Sequence, residues 1–245
     1  MMKTVWVIYT VILVYYLLGT IGIYLINRRK EPQAKRKGWI KHINYFIITS
    51  IVFFSIAINP AVFRILAVLI IVVGFAELYK LFRESGYNFR NFFWLSILIL
   101  ALFSVGFYFF SRMEKNVMLF AFLILCIFDG FSQVSGQLFG KTKLFPKISP
   151  HKTVEGLVGG ALIAILSAFV FKNLIIAPQI NAILFAVVVV IFAFVGDTAK
   201  SIYKRKYNVK DFSDLIPGHG GFLDRFDSLI AGGTGVALLG LLLNF

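Results

Sequence analysis

The stretch from residue 201 to residue 227 gathers most of the side chains in this chain that could do chemistry. It reads SIYKRKYNVKDFSDLIPGHGGFLDRFD and lies between two strongly apolar runs. Lysine and arginine can bind phosphate, carboxylates can hold Mg²⁺, and a Gly-Gly pair offers backbone amides that no side chain shields. Charged groups beside apolar spans are costly to desolvate, so they usually mark a working site. The mixture predicts a site for a polyphosphate and a divalent cation.

Four carboxylates stand where apolar runs end or begin. Asp129 ends the fifth run, Asp197 ends the seventh, and Asp224 and Asp227 precede the eighth. If the last helix has begun by then, Asp224 and Asp227 share one face as an i,i+3 pair. Carboxylates at the ends of separate helices can converge on one cation beside a phosphate. A salt bridge or a helix cap explains each acid alone equally well, whereas the four together favour metal ligands.

The sequence His219-Gly220-Gly221 predicts a loop with accessible amides. Successive exposed N–H groups form an anion-binding nest, although HGG alone also occurs in plain turns. The neighbouring pairs Lys210-Asp211 and Asp224-Arg225 strengthen the interpretation as a phosphate site. His219 could donate to a phosphate or act as a leaving-group acid, and a structural hydrogen bond is the alternative.

A second polar loop precedes the sixth apolar run and ends in Ser149-Pro150-His151-Lys152-Thr153. Ser149 or Thr153 can cap the following helix, with Glu155 favourable in its first turn. Alternatively, Lys152 and the hydroxyls could face a phosphate at the helix N-terminus. The residues alone leave both interpretations open.

The remainder of the chain belongs in a bilayer. The whole chain is 59% hydrophobic and 15% charged, with 28 Phe, well away from the average for soluble domains. Apolar runs that could cross a membrane number about eight, several of them short at about 15–16 residues. They are continuously apolar rather than alternating, which favours helices over a barrel. We therefore expect an all-α polytopic integral membrane protein. The predicted spans are 5–26, 43–58, 62–81, 92–110, 117–131, 157–171, 180–195 and 229–243.

Basic residues predict the orientation of these spans. The segments 27–42, 80–91, 132–156 and 196–228 carry 7, 3, 4 and 6 lysines and arginines, which is 20 of the 25. Positive-inside places these segments in the cytoplasm and both termini outside. We expect residues 1–116 to be an anchoring region of four spans. Residues 117–245 would be a catalytic region of four spans with cytoplasmic loops 132–156 and 196–228.

Two further features are explained without chemistry. The basic block at 28–41 fits a topology determinant that touches anionic headgroups, and no interleaved aromatic residues suggest nucleic acid. The glycines at the start of the sixth and eighth spans, such as Gly160 and Gly233, fit close helix packing.

The motif Ser201-x-x-Lys204-Arg205, then Lys210-Asp211, then Pro217-x-His219-Gly220-Gly221-x-x-Asp224-Arg225-x-Asp227 closely resembles the signature of the phosphatidate cytidylyltransferases. Upstream, Gly136-Gln137-Leu138-Phe139-Gly140-Lys141 with Ser149-Pro150-x-Lys152-Thr153-x-Glu155-Gly156 is similar to a second block of that family, and Gly196-Asp197 resembles its acid before the signature. The resemblance covers about residues 129–235.

This resemblance implies transfer of a cytidylyl group from CTP to phosphatidate, giving CDP-diacylglycerol and pyrophosphate at the cytoplasmic face of a bacterial inner membrane. Mg²⁺ is the expected cofactor, with a second cation, monovalent or divalent, left open. Membrane lipids are expected partners, nucleic acid is not, and a homodimer is left open. The implied catalytic residues are Asp197, Asp224, Lys204, Arg205, His219 and Arg225. The implied substrate-binding residues are Ser149, Lys152, Thr153, Ser201, Lys210, Asp211, Gly220 and Gly221, and the implied metal ligands are Asp197, Asp224, Asp227 and Asp129.

Two alternatives predict different observations. A CTP-dependent polyprenol or phytol kinase, or a CDP-archaeol-type synthase, would use another lipid, and a kinase would release CDP instead of pyrophosphate. A transporter would place its carboxylates near the middles of spans, whereas Asp129, Asp197 and Asp224 are predicted at span ends.

Overall fold

The computed structural model describes residues 2–28, 31–174, 179–213, 215–216 and 220–243, with only the backbone described for 2–4, 7 and 179–181. Within these residues, eight helices are long and apolar enough to cross a membrane, which confirms the predicted α-helical membrane fold. Their bounds are α1 Met2–Asn27, α2 Pro32–Ile58, α3 Pro60–Glu84, α4 Arg90–Phe110, α5 Lys115–Phe139, α6 Val154–Phe171, α7 Gln179–Lys206 and α8 Leu223–Leu242.

Four helices run well beyond the spans predicted for them: α2 begins at Pro32 rather than at 43, α8 begins at Leu223 rather than at 229, and α5 and α7 end later than predicted. The predicted spans ended at residues 131 and 195, but α5 continues to Phe139 and α7 to Lys206. The prediction of these ends was wrong because a helix needs only its i→i−4 hydrogen bonds to continue, not a hydrophobic surface. Much of the predicted loop 196–228 is therefore helix, and Asp197, Lys200 and Lys204 lie on α7 rather than on a loop.

A short β-hairpin before α6 was not predicted. Strand β1, Lys143–Phe145, pairs antiparallel with β2, Ser149–Thr153. Thr153 ends β2 and caps α6, because its hydroxyl accepts a hydrogen bond from the Gly156 amide at 3.1 Å. Glu155 accepts hydrogen bonds from the amides of Lys141 and Thr142, at 3.0 and 3.1 Å, which fastens the start of the hairpin to the first turn of α6.

Helices α5 and α8 form the centre of the bundle. Nearly every residue of α8 from Leu223 to Ala237 is buried, as expected of a helix surrounded by others. Glycines allow the closest approaches: a Cβ on Gly160 of α6 would lie 1.9 Å from Ser132 Oγ of α5, and one on Gly233 of α8 would lie 2.8 Å from the Phe110 ring. The predicted packing role of these glycines is confirmed.

Candidate active site

A cavity of about 580 Å³ lies between α1, α2 and α5 on one side and α7 and α8 on the other. Its lining includes apolar side chains such as Ile12, Ile48 and Leu123. Charged side chains form another part of the lining, the charged end. The charged and acidic residues that the two sides contribute there are Lys41, Asp129, Asp197, Lys200, Asp224, Arg225 and Asp227. The cavity therefore joins a charged region to an apolar one, which suits an amphiphilic molecule.

Lys200 joins two of the predicted metal ligands. Its Nζ lies 3.0 Å from Asp197 Oδ1 and 2.8 Å from Asp227 Oδ1, and it also donates to the Asp224 carbonyl oxygen at 2.8 Å. Because both carboxylate oxygens contact one nitrogen, they can be no more than about 5.8 Å apart. The structure thus brings together acids that are far apart in sequence, as the spacing predicted.

Lys152 brings the hairpin to the same acids. Its Nζ lies 2.8 Å from Asp197 Oδ2 and donates to Thr198 Oγ1 at 3.0 Å, with the Phe194 ring 5.0 Å away. Asp197 is therefore held between two ammonium groups, yet 34% of its side chain remains exposed. The predicted substrate-binding residue Lys152 lies directly beside a predicted metal ligand.

Asp224 has a different environment from Asp197. It is only 2% exposed and forms an ion pair with Lys204 through Oδ1. Its Oδ2 accepts hydrogen bonds from the amides of Phe212 and Gly221, at 2.9 and 3.0 Å. Both oxygens are thus engaged within the protein, and the carboxylate fastens the segment before α8 to α7.

The predicted amide nest is partly occupied by the protein itself. Gly220 has φ +81°, a conformation that favours glycine. Its amide donates to the Ile216 carbonyl at 3.1 Å, while the Gly221 amide donates to Asp224. Phosphate binding by these amides stays a prediction, and it would require these bonds to be exchanged. His219 lies outside the described residues.

The remaining predicted residues lie around the cavity rather than in its lining. Arg205 donates to the carbonyls of Ile148 and Val209, at 3.0 and 2.9 Å. Ser201 donates to the Asp197 carbonyl at 2.8 Å. Lys210 and Asp211 are exposed. The other two, Ser149 and Thr153, lie on β2, and the roles of all six in binding stay predictions.

The donor set suits a divalent ion at Asp197 and Asp227 better than at Asp224. Among the described residues, no three His, Cys, Asp or Glu side chains converge on one metal position. Mg²⁺, however, is usually held by one or two carboxylates together with substrate phosphates. Asp227 Oδ2 is buried and has no hydrogen-bond partner in the described structure, so it is available as a ligand. Asp129 lines the same end of the cavity.

Two residues of this region were missed from the sequence. Lys200 lies three residues after Asp197, and this spacing identifies it once α7 is known to continue. Glu77 of α3 is 3% exposed and accepts hydrogen bonds from Ser213, Phe222 and Leu223. A lone carboxylate within the apolar run 62–81 was a signal that could have identified it.

Comparisons with known proteins identify the family of the chain. A model of the cytidylyltransferase family matches residues 2–243. Proteins named phosphatidate cytidylyltransferase are similar to the chain. One from Haemophilus influenzae is 41% identical over 121 residues, covering 47% of this chain and 42% of the relative. One from Staphylococcus epidermidis is 40% identical over 139 residues, covering 55% and 54%. One from Rickettsia prowazekii is 30% identical over 219 residues, covering 84% and 94%. The chain thus matches about half the length of the first two and nearly all of the third.

Proposed function

Since the chain belongs to the cytidylyltransferase family, we propose that it transfers a cytidylyl group from CTP to phosphatidate, giving CDP-diacylglycerol and pyrophosphate. The observation that carries this proposal is the cavity, whose lining combines acids and cations with apolar side chains. A lipid phosphate is such an amphiphile. The choice of phosphatidate as the lipid and of cytidylyl as the transferred group follows the names of the relatives.

The reaction needs positioning and charge neutralisation more than acid–base chemistry. An oxygen of the lipid phosphate forms a bond to the α-phosphorus of CTP, and the bond from that phosphorus to the pyrophosphate group breaks. The attacking oxygen is already anionic, so no strong base is required. Lys152, Lys200 and Arg225 supply positive charge around the charged end, where they would orient the phosphates for in-line attack.

Mg²⁺ is proposed as the cofactor. Asp197 and Asp227 would hold it, with Asp129 in support, and phosphate oxygens of CTP would complete its coordination. When bound, the ion neutralises charge on the triphosphate and the departing pyrophosphate. Asp224 is proposed as the residue that orders the neighbouring backbone, because it accepts from two backbone amides and is 2% exposed, whereas the Asp197 side chain is 34% exposed.

We also propose that the charged end of the cavity faces the cytoplasm, with both termini outside, in the bacterial inner membrane. The support is the distribution of lysines and arginines along the sequence. Attachment of a membrane-impermeant label to cysteines introduced at positions 36 and 114 tests this orientation, since only position 114 should react from the outside of intact cells.

The activity is tested with purified protein in detergent, labelled CTP, Mg²⁺ and phosphatidate. The expected products are pyrophosphate and a cytidine liponucleotide in equal amounts, and a chelator should stop their formation. Asp197→Asn should lose turnover while remaining folded, because its side chain is 34% exposed. The matched control is Glu84→Gln, an exposed acid far from the cavity lining. Release of CDP without pyrophosphate would instead identify a lipid kinase.

A further inference from the structure

Glu77 is a buried acid whose hydrogen bonds are with the start of α8 and with the loop before it. Its Oε1 accepts from Ser213 Oγ at 2.6 Å and from the Phe222 amide at 2.9 Å, while Oε2 accepts from the Leu223 amide at 2.7 Å. Among the described residues, no lysine or arginine forms an ion pair with it. A buried carboxylate without a cation is costly, so these three donors are what stabilises it.

These contacts supply what α8 lacks in its own sequence. The residue before the helix, Phe222, has helical angles and no side-chain cap, so the first amides of α8 need partners from elsewhere. Glu77 provides them from α3, and a negative charge at a helix N-terminus is favourable. The approach is close: a Cβ on Gly221 would lie 2.4 Å from Glu77 Oε1. Glycine at 221 is therefore required by the close approach of Glu77.

The neighbouring residue of α3 contacts α7. The Tyr203 hydroxyl donates to the Leu78 carbonyl at 2.9 Å. Consecutive residues of α3 thus hold both helices that carry the charged end of the cavity. On α8, the residues held in this way are followed at once by Asp224 and Arg225, and one turn later by Asp227.

We propose that Glu77 is a positioning residue for the proposed cytidylyl transfer. It fixes the N-terminus of α8 and so sets where Arg225 and Asp227 lie in the cavity. Glu77 does not line that cavity, and it acts only through the residues it holds. The anchoring region of the chain therefore contributes directly to the geometry of the site.

Glu77→Gln tests the proposal because it keeps the side-chain shape. One amide oxygen can still accept from Ser213 and Phe222, but the amide NH₂ then faces the Leu223 N–H, donor against donor. We expect kcat to fall about 100-fold, the order that follows from a misplacement of about 1 Å, with KM for CTP changed less than about threefold. Hydrogen–deuterium exchange of amides 220–224 should accelerate, while that of α5 stays as in the wild type.

The control is Glu84→Gln on the same helix, which should match the wild type in all three measurements. Ser213→Ala removes one of the three donors and should lower kcat in the same direction by a smaller factor, which covers the case in which Glu77→Gln does not fold. An unchanged kcat for both variants, or faster exchange with unchanged kcat, overturns the proposal. If the wild type makes no liponucleotide, the proposed function fails, and the exchange data alone decide whether Glu77 holds the start of α8.

Discussion

Asp224→Asn separates a structural role of this acid from a role as a metal ligand. The substitution keeps the shape but removes the charge that pairs with Lys204 and accepts from the amides of Phe212 and Gly221. Three donors then face one oxygen and one NH₂ group. Breaking a buried ion pair by removing one partner costs about 3–5 kcal/mol, and Asp224 is 2% exposed. We expect a loss of this size.

The assay is thermal unfolding of the detergent-solubilised protein, read as loss of the monodisperse peak in size-exclusion chromatography. For a chain of this length, 1 kcal/mol shifts the midpoint by about 2–4 °C, so a shift of roughly 6–20 °C is expected. The control Glu84→Gln removes an exposed pair with Lys80 in which the atoms are 3.8 Å apart. Such pairs contribute about 0–1 kcal/mol, so its midpoint should hardly change.

Combining Asp224→Asn with Lys204→Met completes the test. The double variant no longer carries an unpaired buried ammonium, so it should be less destabilised than the sum of the two single variants, by about 0.5–3 kcal/mol. An Asp224→Asn protein with wild-type stability and no activity would refute this reasoning. That result would return Asp224 to the set of metal ligands.

Two further predictions concern the packing of the helices and the pairing of the acids. Gly160→Val would place a Cβ 1.9 Å from Ser132 Oγ, so we expect the peak of folded protein in size-exclusion chromatography to be lost. The control Gly130→Ala should behave as the wild type, because nothing lies within 4 Å of a Cβ at that position. Equal elution profiles for the two variants would contradict this packing. Lys200→Met should raise the affinity for Mg²⁺ by at least about tenfold, since two unit charges about 4 Å apart repel by about 4 kcal/mol at an effective dielectric of 20, and Mg²⁺ carries two such charges. The affinity is measured from the thermal stabilisation that added Mg²⁺ produces. Lys206→Met, also on α7, is the matched control. An unchanged affinity in Lys200→Met would show that Lys200 does not compete with the ion.

The number of helices could be predicted from the sequence because a bilayer leaves the backbone few choices. Every N–H and C=O in the apolar layer must be paired, so each long apolar run becomes a helix. Helix ends were not predictable by the same argument. Beyond the apolar layer nothing in the hydropathy marks where hydrogen bonding stops, and α7 continues to Lys206.

The sequence predicted that the acids Asp197, Asp224 and Asp227 would lie close together. It did not predict which lysine or amide each of them contacts. Asp224 and Asp227 are the same residue type and lie three positions apart, so the sequence does not distinguish them. In the structure, Asp224 is paired with Lys204 and two amides, whereas Asp227 pairs with Lys200 and keeps one oxygen without a hydrogen-bond partner. The difference depends on which lysine of α7 faces each acid, which is set by how α7 and α8 pack. The sequence marks Glu77 as an unusual residue but not its partners, which lie at least 136 residues away.

Helices α7 and α8 are antiparallel and are joined by two ion pairs and one close backbone approach, here called the ladder. Lys204 faces Asp224, Lys200 faces Asp227, and Gly196 lies against Ala231, where an added Cβ would be 2.6 Å away. These contacts fix the register of α7 against α8, because a shift of either helix along its axis would leave a buried charge unpaired at a cost of several kcal/mol. The ladder therefore fixes the site as well as the packing.

The ion pairs of the ladder also determine how much positive charge the side chains offer to the substrates. Among the described residues, the acids Asp197, Asp224 and Asp227 are paired with the lysines 152, 200 and 204, so these six side chains carry no net charge. The cavity lining adds two cations, Lys41 and Arg225, and one further acid, Asp129. A nucleoside triphosphate and a lipid phosphate are both anionic, and together they carry more negative charge than these side chains can balance. We therefore propose that a divalent ion adds to the positive charge of Lys41 and Arg225, using the buried oxygen of Asp227 that has no hydrogen-bond partner in the described structure. Mg²⁺ would then take part in substrate binding as well as in the transfer step.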